Sequence, residues 1–179
     1  MNTTLDRGLT MSEELEEPRY EVVQAYVDFE VRRYVDTVRA QVQMVSGDRS
    51  GGFRRVARYI FGGNQERLAI AMTAPVSMWD EGDGGVLAFT MPAAHSLQTL
   101  PAPLDDGVEL VEKPGSVVAV LSFSGRTSSG KVKRLERVLR QAIEREGQQA
   151  VGSVTLAIYE NPWTTLPFLR RNELHLELE

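Results

Sequence analysis

The sequence predicts an α+β fold: a β-β-α-β-β unit present twice, the two copies sharing one core in a single curved sheet with both helices on its outside. Three observations point to it. Short runs alternate apolar and polar residues, two longer segments switch to helical spacing, and the second half of the chain repeats the first at a fixed offset.

Taken in order, residues 1–18 are polar and acidic, with Glu13, Glu14, Glu16 and Glu17 and no apolar period, and read as a disordered tail. One domain is expected over 19–179. Strands are expected at 21–24, 29–34 and 37–45. In the last of these, Val38, Ala40, Val42 and Met44 alternate with Arg39, Gln41 and Gln43, so one face is buried. A helix follows over 50–61, closed by Gly62 and Gly63, and two more strands are expected at 68–73 and 86–91.

An offset of 79 lays 29–61 on 108–140 without a gap and matches Glu30 with Glu109, Ala40 with Ala119, Gly51 with Gly130 and Arg55 with Arg134. Beyond the second helix the offset becomes 87 and pairs Pro75 with Pro162 and Leu87 with Leu174. The pseudo-repeats are therefore about 20–92 and 105–179. Two such units can cover one sheet together where one cannot.

A binding site is asymmetric, so the places where the halves differ are the candidates. The second helix is expected to bury Val132, Leu135, Val138 and Leu139, and by equivalence the first buries Phe53, Val56, Tyr59 and Ile60. Its outer face is then Arg54, Ala57, Arg58 and Phe61, where the second helix has Lys133, Glu136, Arg137 and Arg140. An apolar strip between two guanidinium groups suits a flat apolar ring with carboxylate arms, and it also reads as a solvated basic helix face. The second difference is ENPWTTLPFLRR at 160–171, which sets Trp163, Leu166, Phe168 and Leu169 before Arg170 and Arg171. Such a loop serves as a ligand flap or folds back as a lid on the core.

Composition removes several function classes. A net charge of −5 argues against non-specific binding to nucleic acid, and no run approaches the roughly 20 apolar residues of a membrane helix. We read the protein as cytoplasmic and monomeric. With no cysteine and only His95 and His175, thiolate chemistry and most metal sites have no ligands. The last strand places Glu173, His175 and Glu177 opposite Leu174, Leu176 and Leu178, so His175 is a weak candidate for metal binding or proton transfer, or part of a solvent face. There is no phosphate loop in the right context and no nucleophile elbow, so no enzyme is expected.

FEVRRY at 29–34, RYIFGGNQ at 58–65, IAMTAPVSM at 70–78, FTMP at 89–92, LPAP at 100–103, FSG at 123–125, YENP at 159–162 and FLRRNELHL at 168–176 together resemble the SOUL/haem-binding protein family over almost the whole chain. The resemblance implies a distorted β-barrel flanked by two helices, the architecture of gyrase-inhibitor-like domains. It also implies non-covalent binding of haem or another tetrapyrrole in a groove made by the first helix and the loop before the final strand. One branch of the family ligates iron through a histidine where this chain has Arg33, so the resemblance implies haem without that axial ligand, or iron-free porphyrin. The alternative, from the gyrase-inhibitor-like likeness, is a sensor or hydrolase for small cationic apolar molecules with Glu173 as the buried acid.

Overall fold

The computed structural model describes residues 15–45, 48–81, 84–160 and 165–179. Trp163 of the sequence-based site lies outside the described residues. The elements are β1 (Tyr20–Ala25), β2 (Glu30–Tyr34), β3 (Thr37–Met44), α1 (Arg49–Ile60), β4 (Val76–Glu81), β5 (Gly84–Thr90), β6 (Val108–Lys113), β7 (Val117–Ser124), α2 (Ser129–Arg145), β8 (Ala150–Ile158) and β9 (Arg171–Leu178), with a 3-10 turn at Pro167–Leu169 before β9.

These strands form one antiparallel sheet in the order β1-β2-β7-β9-β8-β4-β5-β3-β6. Exchanging β2 to β5 for β6 to β9 reverses this order and otherwise preserves it, with the β4 and β8 pairing at the centre and β1 added at one edge. The sheet is open. β1 and β6 stand at opposite ends and do not pair, so the expected barrel does not close.

One face of the sheet carries both helices. Ala40, Val42, Leu87, Phe89, Ala119, Leu121, Leu174 and Leu176 point to it and meet Val56, Tyr59 and Ile60 of α1 and Leu139, Ala142 and Ile143 of α2 in one apolar cluster. The alternation read in β3 and β9 thus sets the core side correctly. No helix covers the other face, yet Val86, Ala88, Val118, Val120 and Ala157 on it are buried. An open sheet shields its uncovered face in this way by curving around it. Among the described residues no helix is long and apolar enough to cross a membrane.

The helix faces depart from the expectation. Ala57 is buried, and Phe53 is 41% exposed, its ring tilted against Phe89 at 5.4 Å between centroids. Gly52 is the reason: a Cβ there would meet Met44 Cγ at 3.1 Å and Val42 Cγ2 at 3.4 Å, so α1 comes closest to β3 at this glycine and swings Phe53 outward. At the equivalent place α2 has Lys131, whose amine donates to Ser124 O. α2 therefore buries later residues, Leu139, Ala142 and Ile143, and leaves Val138 44% exposed.

Residues 68–73 are not a strand; the fourth strand is β4, beyond Pro75. The apolar alternation in 68–73 is real, but its backbone is engaged elsewhere. Ile70 N–H donates to Ile60 O at the end of α1, and Thr73 bridges Glu16. The GGNQ turn is held by Asn64, which is fully buried, donates to Tyr59 O and Leu68 O, and accepts from Leu68 N–H. Gly62 in this turn has φ +102°, and a Cβ on Gly63 would lie 2.7 Å from Arg58 O. Replacing Asn64 with Ala strands two carbonyls and an N–H, so Asn64→Ala should cost about 2–4 kcal/mol in urea denaturation.

Candidate functional site

The outer face of α1 is built by anchoring the helix at both ends. Asp48 accepts from Gly51 N–H at the N-terminus, at 2.8 Å. Further along, Arg55 grips Asp105 through Nε at 2.8 Å and Nη2 at 2.6 Å, and Tyr59 Oη donates to Pro101 O at 3.0 Å. The hydrogen bonds from Arg55 hold the Asp105 carboxyl down at about 2. What remains outside is Phe53, Arg54, Arg58 and Phe61, the last 68% exposed. Leu104 N–H donates to Gly63 O and Phe61 bridges Ala69, which brings the exposed Leu104 and Leu68 to the same end of the helix. Arg54 and Arg58 have no hydrogen-bonded or ion-paired partner among the described residues.

The segment before β9 is a separate patch. Leu166, Phe168 and Leu169 are exposed, and the 3-10 turn packs on β7, whereas α1 packs on β3, β5 and β6. Arg170 Nε donates to Thr165 O at 2.8 Å. Arg171 is committed: it pairs with Glu17 and its guanidinium lies 3.7 Å above the Tyr159 ring. The two cavities of the curved sheet, of about 350 and 520 Å³, are lined by none of Arg54, Arg58, Phe61, Leu166, Phe168, Arg170 or Arg171.

Glu173 does not stand on a solvent face. It is 2% exposed and accepts from Arg32 Nη1 on both oxygens at 3.1 Å, from Tyr159 Oη at 2.6 Å, from His175 Nε2 at 2.8 Å and from Ser122 Oγ at 3.3 Å. Burial alone would push this carboxyl up. The hydrogen bonds and charges of His175, Tyr159 and Arg32 overcome it and hold the group at about 2. Burial pushes the Tyr34 hydroxyl up to about 12 and raises Tyr159 further, with the Glu173 charge adding to the effect. Both phenols are neutral at pH 7. Arg32 also donates to Glu30 and Tyr34 and stacks on Tyr20 at 4.3 Å. His175 is thus a member of an ion network, and no group of three metal-ligating side chains occurs among the described residues.

Arg32 is the residue that sequence reasoning missed. The period of two puts it on the face opposite Val31, but only the β2-β7-β9 order shows that this face holds Glu173. The offsets found above pair Arg32 with Val111 and Glu173 with Val86, so the equivalent positions, again one from each half, hold two valines where these hold an ion pair. Arg33 is solvent-facing and pairs with Glu21 at 3.4 Å.

With this geometry in place, a family model described as SOUL heme-binding protein matches residues 15–177. Heme-binding protein 1 of Bos taurus is 26% identical over 129 residues, 68% of this chain and 66% of that protein, so the chain spans just under two thirds of the relative. Among solved structures, the C-terminal domain of EcmrR is similar with a TM-score of 0.64 at 10% identity, covering 89% of this chain and 98% of that one. An uncharacterized conserved protein from Listeria innocua is similar with a TM-score of 0.63 at 11% identity over 83% and 92% of the two chains. At these identities the two structures show a shared fold.

Arg32→Met leaves Glu173 buried without its cation and should cost about 3–5 kcal/mol in urea denaturation. Arg32→Met with Glu173→Leu, which makes both positions apolar as at the equivalent Val111 and Val86, should recover most of that loss. The depressed Glu173 contributes stability that is present above its ordinary value of 4.5 and is lost as pH falls from there toward 2. Glu173→Gln should therefore flatten the acid limb of a thermal-midpoint profile between those values.

Proposed function

The chain belongs to the SOUL heme-binding protein family, and on that premise we propose that it is a non-enzymatic carrier, buffer or sensor that holds haem or iron-free porphyrin without a covalent bond on the outer face of α1. One observation carries the reading: an exposed aromatic strip, Phe53 and Phe61, runs beside two arginines, Arg54 and Arg58, with no hydrogen-bonded or ion-paired partner among the described residues. The strip takes the ring face and the guanidinium forks take the two propionates. Covering on the order of 200–300 Å² of apolar surface gives about 5–7 kcal/mol, and with two charge-assisted contacts this supports micromolar binding. Ala57, at the base of the strip, contributes small size rather than contact area.

Axial ligation finds no support on this face. His175 lies on the opposite face of the sheet within the Glu173 network, His95 lines the smaller cavity beside residues 16–19, and Arg33 faces Glu21. Retained residue phase across the offsets and the reversible strand order support a duplicated ancestral unit whose two copies have since diverged. The cationic-ligand or hydrolase alternative needs Glu173 as an available acid. Glu173 lines neither cavity and is bound by Arg32, Tyr159, His175 and Ser122, so the geometry favours the carrier.

Titration of hemin should give a saturable visible-range shift at micromolar protein, and iron-free protoporphyrin should bind within about threefold of it. Arg54→Glu with Arg58→Glu should weaken both at least tenfold while His175→Ala leaves the hemin spectrum unchanged. Stoichiometric binding that ignores the double charge reversal removes this site.

A further inference from the structure

The uncovered face of the sheet holds a second arginine, half-buried, whose situation is the reverse of Arg32. Arg39 projects from β3 into the cavity of about 520 Å³. Its guanidinium carbon lies 5.8 Å from the centre of the Trp79 ring, and its Nε is buried with no hydrogen-bond partner. No ion pair or hydrogen bond to Arg39 occurs among the described residues. The carboxylate whose charge it feels is Glu177, and that group is already bound by Lys113 and Ser116 Oγ. Arg32, on the same face, is satisfied by Glu173, Glu30 and Tyr34.

An Nε buried without an acceptor is costly, and the partial burial lowers the Arg39 pKa against the pull of Glu177. The fold does not require it. The offset of 79 places Val118 at the equivalent position of the other half, where it is buried among its neighbours. A residue that costs stability where valine fits is the mark of a site. The surroundings indicate what the site takes. Trp79, Thr155 and His175 lie in register across β4, β8 and β9, giving an indole wall and a polar floor next to the free fork of Arg39.

We propose that this cavity binds a small organic acid with one carboxylate and a flat apolar body. The carboxylate takes the Arg39 fork and the body lies along Trp79. Its size is within the usual range of small-molecule pockets. The site is separate from the α1 face and does not depend on porphyrin binding there.

Calorimetric titration of the full chain with 2-naphthoate tests this, with and without one equivalent of hemin. One equivalent should bind in both cases, and 2-naphthalenemethanol, which lacks the charge, should bind at least tenfold more weakly. Arg39→Met should reduce naphthoate affinity at least tenfold and leave the ligand-free thermal midpoint unchanged or higher, since a costly buried charge is gone. Arg39→Lys, which keeps the charge without the fork, should stay folded and bind several-fold more weakly. Absence of saturable naphthoate binding, equal binding by Arg39→Met, or a lowered midpoint in that variant overturns the proposal. Displacement of naphthoate by hemin also overturns it, while leaving the porphyrin reading in place. Naphthoate binding in a protein that fails to bind any porphyrin supports this site and sinks the other.

Discussion

The buried pair of Arg32 and Glu173 is the constraint around which the uncovered face is arranged. It spans β2, β7 and β9, and beyond its neighbours on β2 and β9 it draws partners from other parts of the chain: Tyr159 from the end of β8, Ser122 from β7, Tyr20 from the edge strand β1. A carboxylate this deep is tolerable only when every lone pair is met, because the desolvation cost falls on any donor or acceptor left over. Register across those strands is therefore tied to one residue. Arg171 closes the cluster by stacking on Tyr159 and pairing with Glu17, which draws residues 15–19 across the strand ends. FEVRRY and RRNELHL, far apart in sequence, are two sides of this one contact.

On the helical face the decisive feature is a missing side chain. Gly52 lets α1 approach β3, and that approach turns Phe53 and Phe61 outward and takes Ala57 in. α2 has Lys131 in its place, sits differently, and presents a charged surface in which Glu136 and Arg140 pair at 2.9 Å. α2 thus pairs one of its outer arginines with an acid of its own, and α1 leaves Arg54 and Arg58 open beside an aromatic strip. The difference in chemistry between two similar elements follows from a single close contact.

Much of this was legible in the sequence, for physical reasons that also mark where legibility ends. Alternation in β3 and β9 identifies the core side because a strand has only two faces. The offset search recovers the element order of both halves, with the exception of β4, because the apolar alternation of 68–73 imitates a strand while its N–H groups serve α1. Helical faces are harder. Equivalence between the helices fails by one position at Phe53 and Ala57, since a helix can rotate about its axis to suit one glycine. The Arg32 and Glu173 contact needs strand order, which no local pattern encodes. Glu173 and His175 were visible as candidates for that reason only as individual residues, without the arginine that helps hold Glu173 ionised.

The two arginine sites divide ligands by charge and by shape. A porphyrin carries two carboxylates on a broad rigid ring, and the α1 face offers two exposed guanidinium groups on one side of the molecule, the nearby Asp105 being taken by Arg55. The cavity offers one, with Glu177 close enough for its charge to act on Arg39 and with Asp80 and Glu81 on its lining. The other cation on the lining, Lys113, is already paired with Glu177, so a second carboxylate placed there would meet acids and no free cation. A single carboxylate on a smaller flat body avoids that penalty and relieves the Arg39 charge. On the two proposed sites the open sheet would separate the two chemistries by its own thickness, with dianionic rings on the helical side and monoanionic acids on the concave side.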